Sequence, residues 1–172
     1  MEPGQLLEEA KGTRVKAILI THNHQDHLAG LKEIIDATGA PVQAHSQDAD
    51  ALPTPPSALV EDGDTIVAGT ITLKVIHTPG HTTGSVCYLV GAHLFSGDTL
   101  FPGGPGRSRT PEALQQTIKS ITERLYVLPD DTFLLPGHGQ DSTLGISKEE
   151  YHIFAQKSHP ASLSGDVLWL ES

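Results

Sequence analysis

A dense cluster of histidine and aspartate follows a short apolar run near the start of the chain. The stretch THNHQDH spans residues 21–27 and directly follows VKAILI at 15–20. For a chain of this composition, about 0.002 matches to the pattern H-x-H-x-D-H are expected by chance. Imidazole and carboxylate groups bind zinc, iron or manganese, so the cluster predicts a metal site. Its candidate ligands are His22, His24, Asp26 and His27.

The spacing of His22 and His24 indicates an extended backbone. On a helix, two residues two positions apart point about 200° away from each other and could not share one ion. On a strand or an extended loop, the same two side chains face one side. Because VKAILI is a short β-branched apolar run, it predicts a buried strand. The motif is therefore expected where a strand ends and a loop begins, not on a metalloprotease-type helix.

Three further candidate ligands also come just after predicted strands. His81 follows LKVIHTPG, Asp98 follows AHLFSG, and His138 follows TFLLPG. Strand ends can all face one edge of a sheet, so the seven side chains could converge. Seven ligands are too many for one tetrahedral ion, but they suit two ions if one carboxylate bridges them. The other histidines lack this pattern and are expected to be surface or core residues: His45, His77, His93, His152 and His159.

The remaining segments alternate between strand and helix signals. A helix is predicted over 28–39, a β-hairpin over 60–81, and a second helix that begins at Pro111 after Thr110 as N-cap. Paired strands with helices between them predict an α/β or α+β fold of packed layers. A last helix is predicted over 148–157, behind a capping box formed by Ser147 and Glu150.

Composition narrows the class of protein. The length of 172 residues predicts a single domain over 1–172 with a short C-terminal helical tail. The net charge is −10 with only 11 Lys and Arg, so neither a nucleic acid nor an anionic membrane surface is expected as a partner. The chain has no apolar signal core and no long apolar run, and its single cysteine, Cys87, is expected to be a small core residue. A cytoplasmic protein is the resulting expectation.

Four motifs together resemble the metallo-β-lactamase superfamily, and in particular its glyoxalase II-like hydrolases, which act on hydroxyacylglutathione. They are THNHQDH at 21–27, TPGHTTGSV at 78–86, LFSGDTLF at 94–101 and LLPGHG at 134–139. The resemblance implies an αββα four-layer sandwich with the site at one edge of its two sheets. It also implies that relatives have further strands before VKAILI, so the first strands of the fold are expected to be missing here.

The resemblance further implies how the seven side chains share two divalent ions. Zinc is the expected metal, with iron and manganese as alternatives. Asp26 and Asp98 are the expected catalytic residues, whereas the identity of the substrate-binding residues is left open. The implied ligands of the first ion are His22, His24 and His81, and those of the second ion are Asp26, His27 and His138. Asp98 is the implied bridge between the two ions.

These expectations define a dinuclear hydrolase of a small-molecule thioester or a related ester. A metal-bridged hydroxide would attack the carbonyl. A thiolate would leave without a proton donor, because a thiol has a pKa of about 8.5. One alternative is a persulfide dioxygenase of the same fold, which binds one iron through two histidines and one aspartate. The other is a metal-binding remnant without activity.

The ends of the chain and one loop leave questions about partners and substrate. An unpaired edge on VKAILI would favour self-association, so a homo-oligomer is left open. Few residues follow the last ligand loop, whereas glyoxalase II adds a glutathione-binding domain, so the thiol of the substrate is also left open. The loop FPGGPGRSR at 101–109 either lines the substrate or only connects elements. Within it, Arg107 and Arg109 are candidates to meet an anionic substrate group.

Overall fold

A computed structural model describes residues 3–172, which form short strands and helices in alternation. The strands are β1 Ile18–Leu19, β2 Val42–His45, β3 Ala58–Val60, β4 Thr65–Ala68, β5 Ile71–His77, β6 Val86–Val90, β7 His93–Gly97, β8 Leu100–Phe101, β9 Gly104–Pro105, β10 Phe133–Pro136 and β11 Ser142–Thr143. The α-helices are α1 Pro3–Glu9, α2 Gln25–Leu28, α3 Leu31–Thr38, α4 Ser46–Ala49, α5 Pro111–Ser120 and α6 Leu144–Ala155, and a π-helical turn, Ile121–Leu125, extends α5.

Two sheets of different size form the centre of the structure. The smaller sheet has the order β1-β2-β3 with all pairs parallel. The larger sheet has the order β11-β10-β7-β6-β5-β4, in which only β10 and β7 pair in parallel. A separate ribbon joins β8 and β9. Since β6 is antiparallel to both β5 and β7, strands β5, β7 and β10 run in one direction and end at the same edge of the sheet.

Alternation of side chains along the strands places the two sheets face to face. On β5, Val75 packs between the sheets while Ile76 points to the opposite face. On β6, Tyr88 packs between the sheets and Cys87 lies on the opposite face. This is the period of two that a strand imposes, and it lets both faces of the larger sheet be buried. Leu19 of β1 packs into the same space between the sheets.

Helices cover the outer face of each sheet. Leu31 and Ile35 of α3 pack on the outer side of the smaller sheet. Leu114 of α5 and Phe154 of α6 pack on the outer side of the larger one, with Trp169 from the C-terminal segment buried among them. The order of layers is therefore helix, sheet, sheet, helix, and the predicted αββα sandwich is confirmed. None of the helices in residues 3–172 combines the length and apolar character needed to cross a lipid bilayer.

The predicted elements are present, but some of their bounds differ. The strand expected over 15–20 is reduced to β1, which has two residues. The helix expected over 28–39 is divided into α2 and α3, and the latter ends at Gly39 in the left-handed conformation (φ 62°). The hairpin is formed by β4 and β5 alone, because the start of the predicted segment belongs to β3 of the other sheet.

The predicted capping box of the last helix is wrong, whereas the predicted cap of α5 is correct. The Thr110 hydroxyl accepts a hydrogen bond from the Ala113 amide at 3.2 Å, with Pro111 first in the helix. Helix α6 begins earlier than expected, at Leu144, after Thr143 as N-cap. Ser147 therefore lies inside the helix, where its hydroxyl bonds to Tyr126, and the carboxylate of Glu150 accepts the amide of Gly103. Both of the side chains that the motif assigned to capping are thus engaged in partly buried hydrogen bonds outside the helix.

Candidate metal centre

The backbone after β1 presents the first candidate ligands in two local conformations. His22 and His24 lie on an extended segment, with His24 at φ −73° and ψ 145°. Asp26 and His27 then lie on the single turn of α2. The expectation of an extended backbone therefore holds for the two histidines spaced two apart, while the second half of the motif is helical.

The first group of facing side chains is His22, His24 and His81, and all of their candidate ligand atoms lie within 4.8 Å of one another. His81 comes from the loop after β5, and its Nε2 lies 2.9 Å from Nδ1 of His24. The ring of His22 is almost fully buried behind them. Two chain segments 57 residues apart therefore meet through imidazole nitrogens.

The second group is Asp26, His27, Asp98 and His138, and it also fits within 4.8 Å. His138 follows β10, and its Nε2 lies 3.1 Å from Nε2 of His27 and 2.9 Å from Oδ2 of Asp26. Asp26 and His138 are about half-exposed, whereas His27 and Asp98 are mostly covered. This group therefore forms the solvent-facing side of the cluster.

Asp98, directly after β7, lies between the two groups. Its Oδ1 is 3.2 Å from Nε2 of His27 in the second group. Its Oδ2 is 3.9 Å from Nε2 of His22 and 3.8 Å from Nε2 of His81, both in the first group. The same oxygen is 3.8 Å from Nε2 of His138. One carboxylate therefore faces both sets of nitrogens, which is the position that a bridging ligand requires.

The spacing of these atoms fits metal coordination. Ligand atoms at about 2.0–2.1 Å from a tetrahedral ion lie about 3.3 Å apart. The facing nitrogens and oxygens in the cluster lie between 2.9 and 3.9 Å apart. Two buried polar atoms, Nε2 of His22 and Oδ1 of Asp98, also have no hydrogen-bond partner among the described residues. Buried polar atoms are rarely left without partners, and a metal ion that binds both nitrogen and oxygen would supply the missing partner here.

The hydrogen bonds of two histidines favour the metal-binding form of their rings. Nδ1 of His81 lies 3.0 Å from the carbonyl oxygen of Arg107. A carbonyl only accepts, so this nitrogen carries the proton and Nε2 is left free to bind a metal. Nδ1 of His22 contacts the hydroxyl of Thr21 at 3.2 Å, which leaves its Nε2 facing the cluster. These contacts supply the outer support that ligating histidines have in metal sites.

Burial and mutual repulsion keep the inner histidines neutral. Burial, followed by the nearby His27, lowers the pKa of His22 to about 3. Burial, followed by the nearby His24, also lowers the pKa of His81. The Asp98 carboxylate beside His27 raises the pKa of that ring. Burial alone would raise the pKa of Asp98, but His27, His22 and His81 hold it below its ordinary value. Neutral imidazole and ionised carboxylate are the forms that bind a metal.

A cleft of about 780 Å³ opens directly beside the cluster. His24, Asp26 and His81 form one wall. The loop after the β8–β9 ribbon forms the other wall, together with part of the C-terminal segment. Arg107 and Arg109 both line this cleft, so the predicted loop lies next to the candidate centre. The residues of this second wall are Arg107, Ser108, Arg109, Ser164 and Gly165.

The other histidines lie outside both groups, as expected. His45 is buried and stacks on His77 with ring centroids 4.0 Å apart, while His93 stacks on Phe133. His159 stacks on Phe154. Cys87 is fully buried in the core, and burial raises the pKa of its thiol to about 11, which fits the predicted structural role.

Two residues outside the candidate ligands adjoin the cluster, and sequence reasoning missed the first of them, Asp48. Asp48 is a buried carboxylate that bonds to the backbone between His22 and His24. Gly137 packs against Asp98 and His27 so closely that any side chain would collide with them. No local pattern marks Asp48, whereas the place of Gly137 directly before His138 predicts a glycine that serves a turn beside a ligand.

Fold and site together define a metallohydrolase-like sandwich with a His and Asp centre at one sheet edge. The family model described as the metallo-beta-lactamase superfamily matches residues 2–138. The chain belongs to the metallo-β-lactamase superfamily. The predicted resemblance is therefore confirmed.

Individual relatives agree with this assignment. A hydroxyacylglutathione hydrolase of Methylobacillus flagellatus is 36% identical over 151 residues, which cover 84% of this chain and 58% of that protein. The crystal structure of BLEG-1 B3 metallo-beta-lactamase superposes with a TM-score of 0.78 at 28% identity, covering 86% of this chain and 82% of that one. The structure of TTHA1623 in a di-iron-bound form has a TM-score of 0.70 at 34% identity, covering 86% and 83%.

Proposed function

We propose that the chain is a dinuclear metal-dependent hydrolase of small-molecule thioesters or related esters. The observation that carries this proposal is the position of Asp98 between two groups of nitrogen and oxygen donors. A single ion would leave one of these groups without a partner. The similarity to a hydroxyacylglutathione hydrolase favours a thioester, although the chain spans only 58% of the length of that enzyme.

Each of the two groups of side chains would hold one metal ion. His22, His24 and His81 would hold the first ion, and Asp26, His27 and His138 the second. When bound, such a pair of ions lowers the pKa of a bridging water towards neutrality and polarises a carbonyl oxygen. Asp98 would fix the separation of the two groups, because each of its oxygens faces different nitrogens.

The remaining roles follow from what faces the cleft. Asp26 is exposed at the cleft and would orient the attacking water through its carboxylate as well as bind metal. Among the residues that line the cleft, Asp26 is the only carboxylic acid. Burial would raise the pKa of its carboxyl, but the backbone amide of Asp26, then His27 and His138, hold that pKa below the ordinary value. The cleft therefore has no carboxylic acid suited to protonating a leaving amine, and Arg107 and Arg109 would stabilise an anionic leaving group instead.

A leaving-group series tests this mechanism. Three substrates with one acyl group, an aryl thioester, an alkyl ester and an unstrained amide, are compared with the zinc-loaded protein. We expect the thioester to react fastest and the amide to be inert, because only the thiolate leaves without a proton. Chelator-treated protein is the control for background hydrolysis. Equal rates for amide and thioester would contradict the proposal.

Zinc is the proposed metal, and iron is the main competitor because TTHA1623 binds two iron atoms in its solved form. Metal analysis of the purified protein separates these cases. Two zinc ions per chain support the proposal as stated. One iron per chain, with oxygen consumed in the presence of a thiol persulfide, would instead support the dioxygenase alternative.

A further inference from the structure

The carboxylate of Asp48 lies in the interior, outside every motif that identified the candidate ligands. Its side chain belongs to α4 and is 1% exposed. Among the described residues, no Lys, Arg or His nitrogen lies within ion-pair distance of it. A buried, ionisable group without a charged partner is costly, so its three hydrogen bonds must hold it in place.

All three of these hydrogen bonds go to the two loops that carry the first group. Oδ2 accepts the amide of Asn23 at 3.0 Å and the hydroxyl of Thr82 at 2.7 Å. Oδ1 accepts the amide of Gly84 at 2.8 Å. Asn23 lies between His22 and His24, and Thr82 directly follows His81. One carboxylate therefore connects the backbones beside all three histidines.

The surroundings of Asp48 show how closely this connection is packed. A Cβ atom on Gly84 would lie 2.6 Å from Oδ1 of Asp48, so only glycine allows this approach. The hydroxyl of Thr82 also contacts the hydroxyl of Ser85 at 2.7 Å, and Ser85 in turn accepts the amide of Thr82. The 78–86 loop is thus held in one conformation by a chain of bonds that begins at Asp48.

We propose that Asp48 is a positioning residue for the first metal ion. It sets the relative position of the segment 22–24 and the loop that carries His81, and none of its three side-chain hydrogen bonds goes to the second group. This inference rests on the metal centre of the proposed function. Loss of the Asp48 carboxylate should therefore weaken binding of the ion held by His22, His24 and His81, while binding at the other site stays unchanged.

A double-mutant comparison separates the two sites. His138→Ala leaves the first group intact, and His22→Ala leaves the second. Asp48→Asn is then added to each of these two variants. The asparagine amide keeps one acceptor oxygen, but its NH2 group takes the place of the other oxygen and faces groups that donate hydrogen bonds to the carboxylate. Zinc affinity is measured by competition with a chromophoric chelator. We expect Asp48→Asn to weaken zinc binding about 10–100-fold in the His138→Ala protein. In the His22→Ala protein we expect a change within about twofold.

Two controls keep this test informative. Asp50→Asn makes the same charge change at an exposed position two residues away, and it should leave both affinities unchanged. If Asp48→Asn fails to fold, Thr82→Val and Thr82→Ser replace it, since only the serine retains the hydroxyl that Asp48 accepts. The valine variant should then weaken the first site, and the serine variant should not.

The outcomes point to different failures. Equal effects of Asp48→Asn in the two backgrounds, or equal behaviour of the valine and serine variants, would overturn the role of Asp48. Absence of zinc binding by the unsubstituted protein would overturn the metal centre itself. Hydrolytic activity does not enter either measurement, so the substrate class can be wrong while the assignment of Asp48 stands.

Discussion

Gly137→Ala is the substitution whose effect can be worked out most directly from the structure. Gly137 lies just before His138, and its own φ is outside the left-handed region, so alanine meets no backbone strain there. An added Cβ would lie 2.4 Å from Oδ1 of Asp98 and 2.6 Å from Cε1 of His27. Ordinary contact begins near 3.4 Å, so the Asp98 oxygen would have to move by about 1.0 Å.

A displacement of this size acts on metal binding more than on folding. It is about half of a typical metal–oxygen bond of 2.0–2.2 Å. The atoms of Asp98 and His27 that the Cβ would meet are the ends of side chains and not backbone, so they can turn aside at a smaller cost to the fold than to the metal site. In the turned position they can no longer share an ion. We therefore expect thioester hydrolysis to fall about 100-fold, because a misplacement near 1 Å can cost that much in rate, and we expect zinc binding to be weaker.

The assay compares zinc affinity, hydrolysis rate and the melting temperature of metal-free protein for Gly137→Ala and Gly4→Ala. The second variant is the control, since no atom lies within 4 Å of a Cβ at Gly4 and its φ is ordinary. Both metal-free proteins should melt close to the unsubstituted one. Wild-type zinc affinity in Gly137→Ala would refute the reasoning, because it would mean that Asp98 and His27 do not bind metal in the positions described.

Three further predictions concern the ligands, the stability of the whole chain and its self-association. Asp98→Ala should reduce the occupancy of both metal sites, whereas His22→Ala should mainly reduce that of the first site and His27→Ala that of the second. Zinc content after dialysis measures these occupancies. Full occupancy of both sites in Asp98→Ala would rule out a bridging role. Chelation should lower the melting temperature by about 8–16 °C if zinc is present at about a thousand times its dissociation constant. The edge of β1 that does not face β2 has no strand partner among the described residues, so light scattering should detect self-association, and a monomer that melts independently of chelator would contradict both expectations.

The candidate ligands could be predicted from the sequence because their signal is local. His22, His24, Asp26 and His27 form one motif, and each of the other three follows its own strand and glycine. The common direction of β5, β7 and β10 then brings three separate strand ends to one edge. Residue type and strand order together are sufficient for this, and no knowledge of side-chain packing is needed.

The residues that the sequence did not reveal act through contacts distant along the chain. Asp48 reaches Asn23 across 25 residues and Gly84 across 36, and neither partner has a pattern that points back to it. The error at Ser147 and Glu150 has the same origin. Their spacing fits a capping box, but Tyr126 and Gly103 offer partly buried partners that only the tertiary structure brings close. Local patterns fail where a polar side chain has a better distant partner.

The two walls of the cleft depend on different parts of the chain. The candidate ligands lie at strand ends, where the fold fixes their direction. The opposite wall of the cleft depends instead on the C-terminal segment, since Gly165 pairs with Ser108 through backbone bonds of 3.0 Å in both directions. Trp169 donates its backbone amide to Gly103 at 2.7 Å, so the segment is attached to the same loop at a second point. That loop carries Arg107, whose carbonyl orients His81. Changes in the C-terminal segment would therefore alter both the shape of the cleft and the support of one ligand without changing any residue of the motifs.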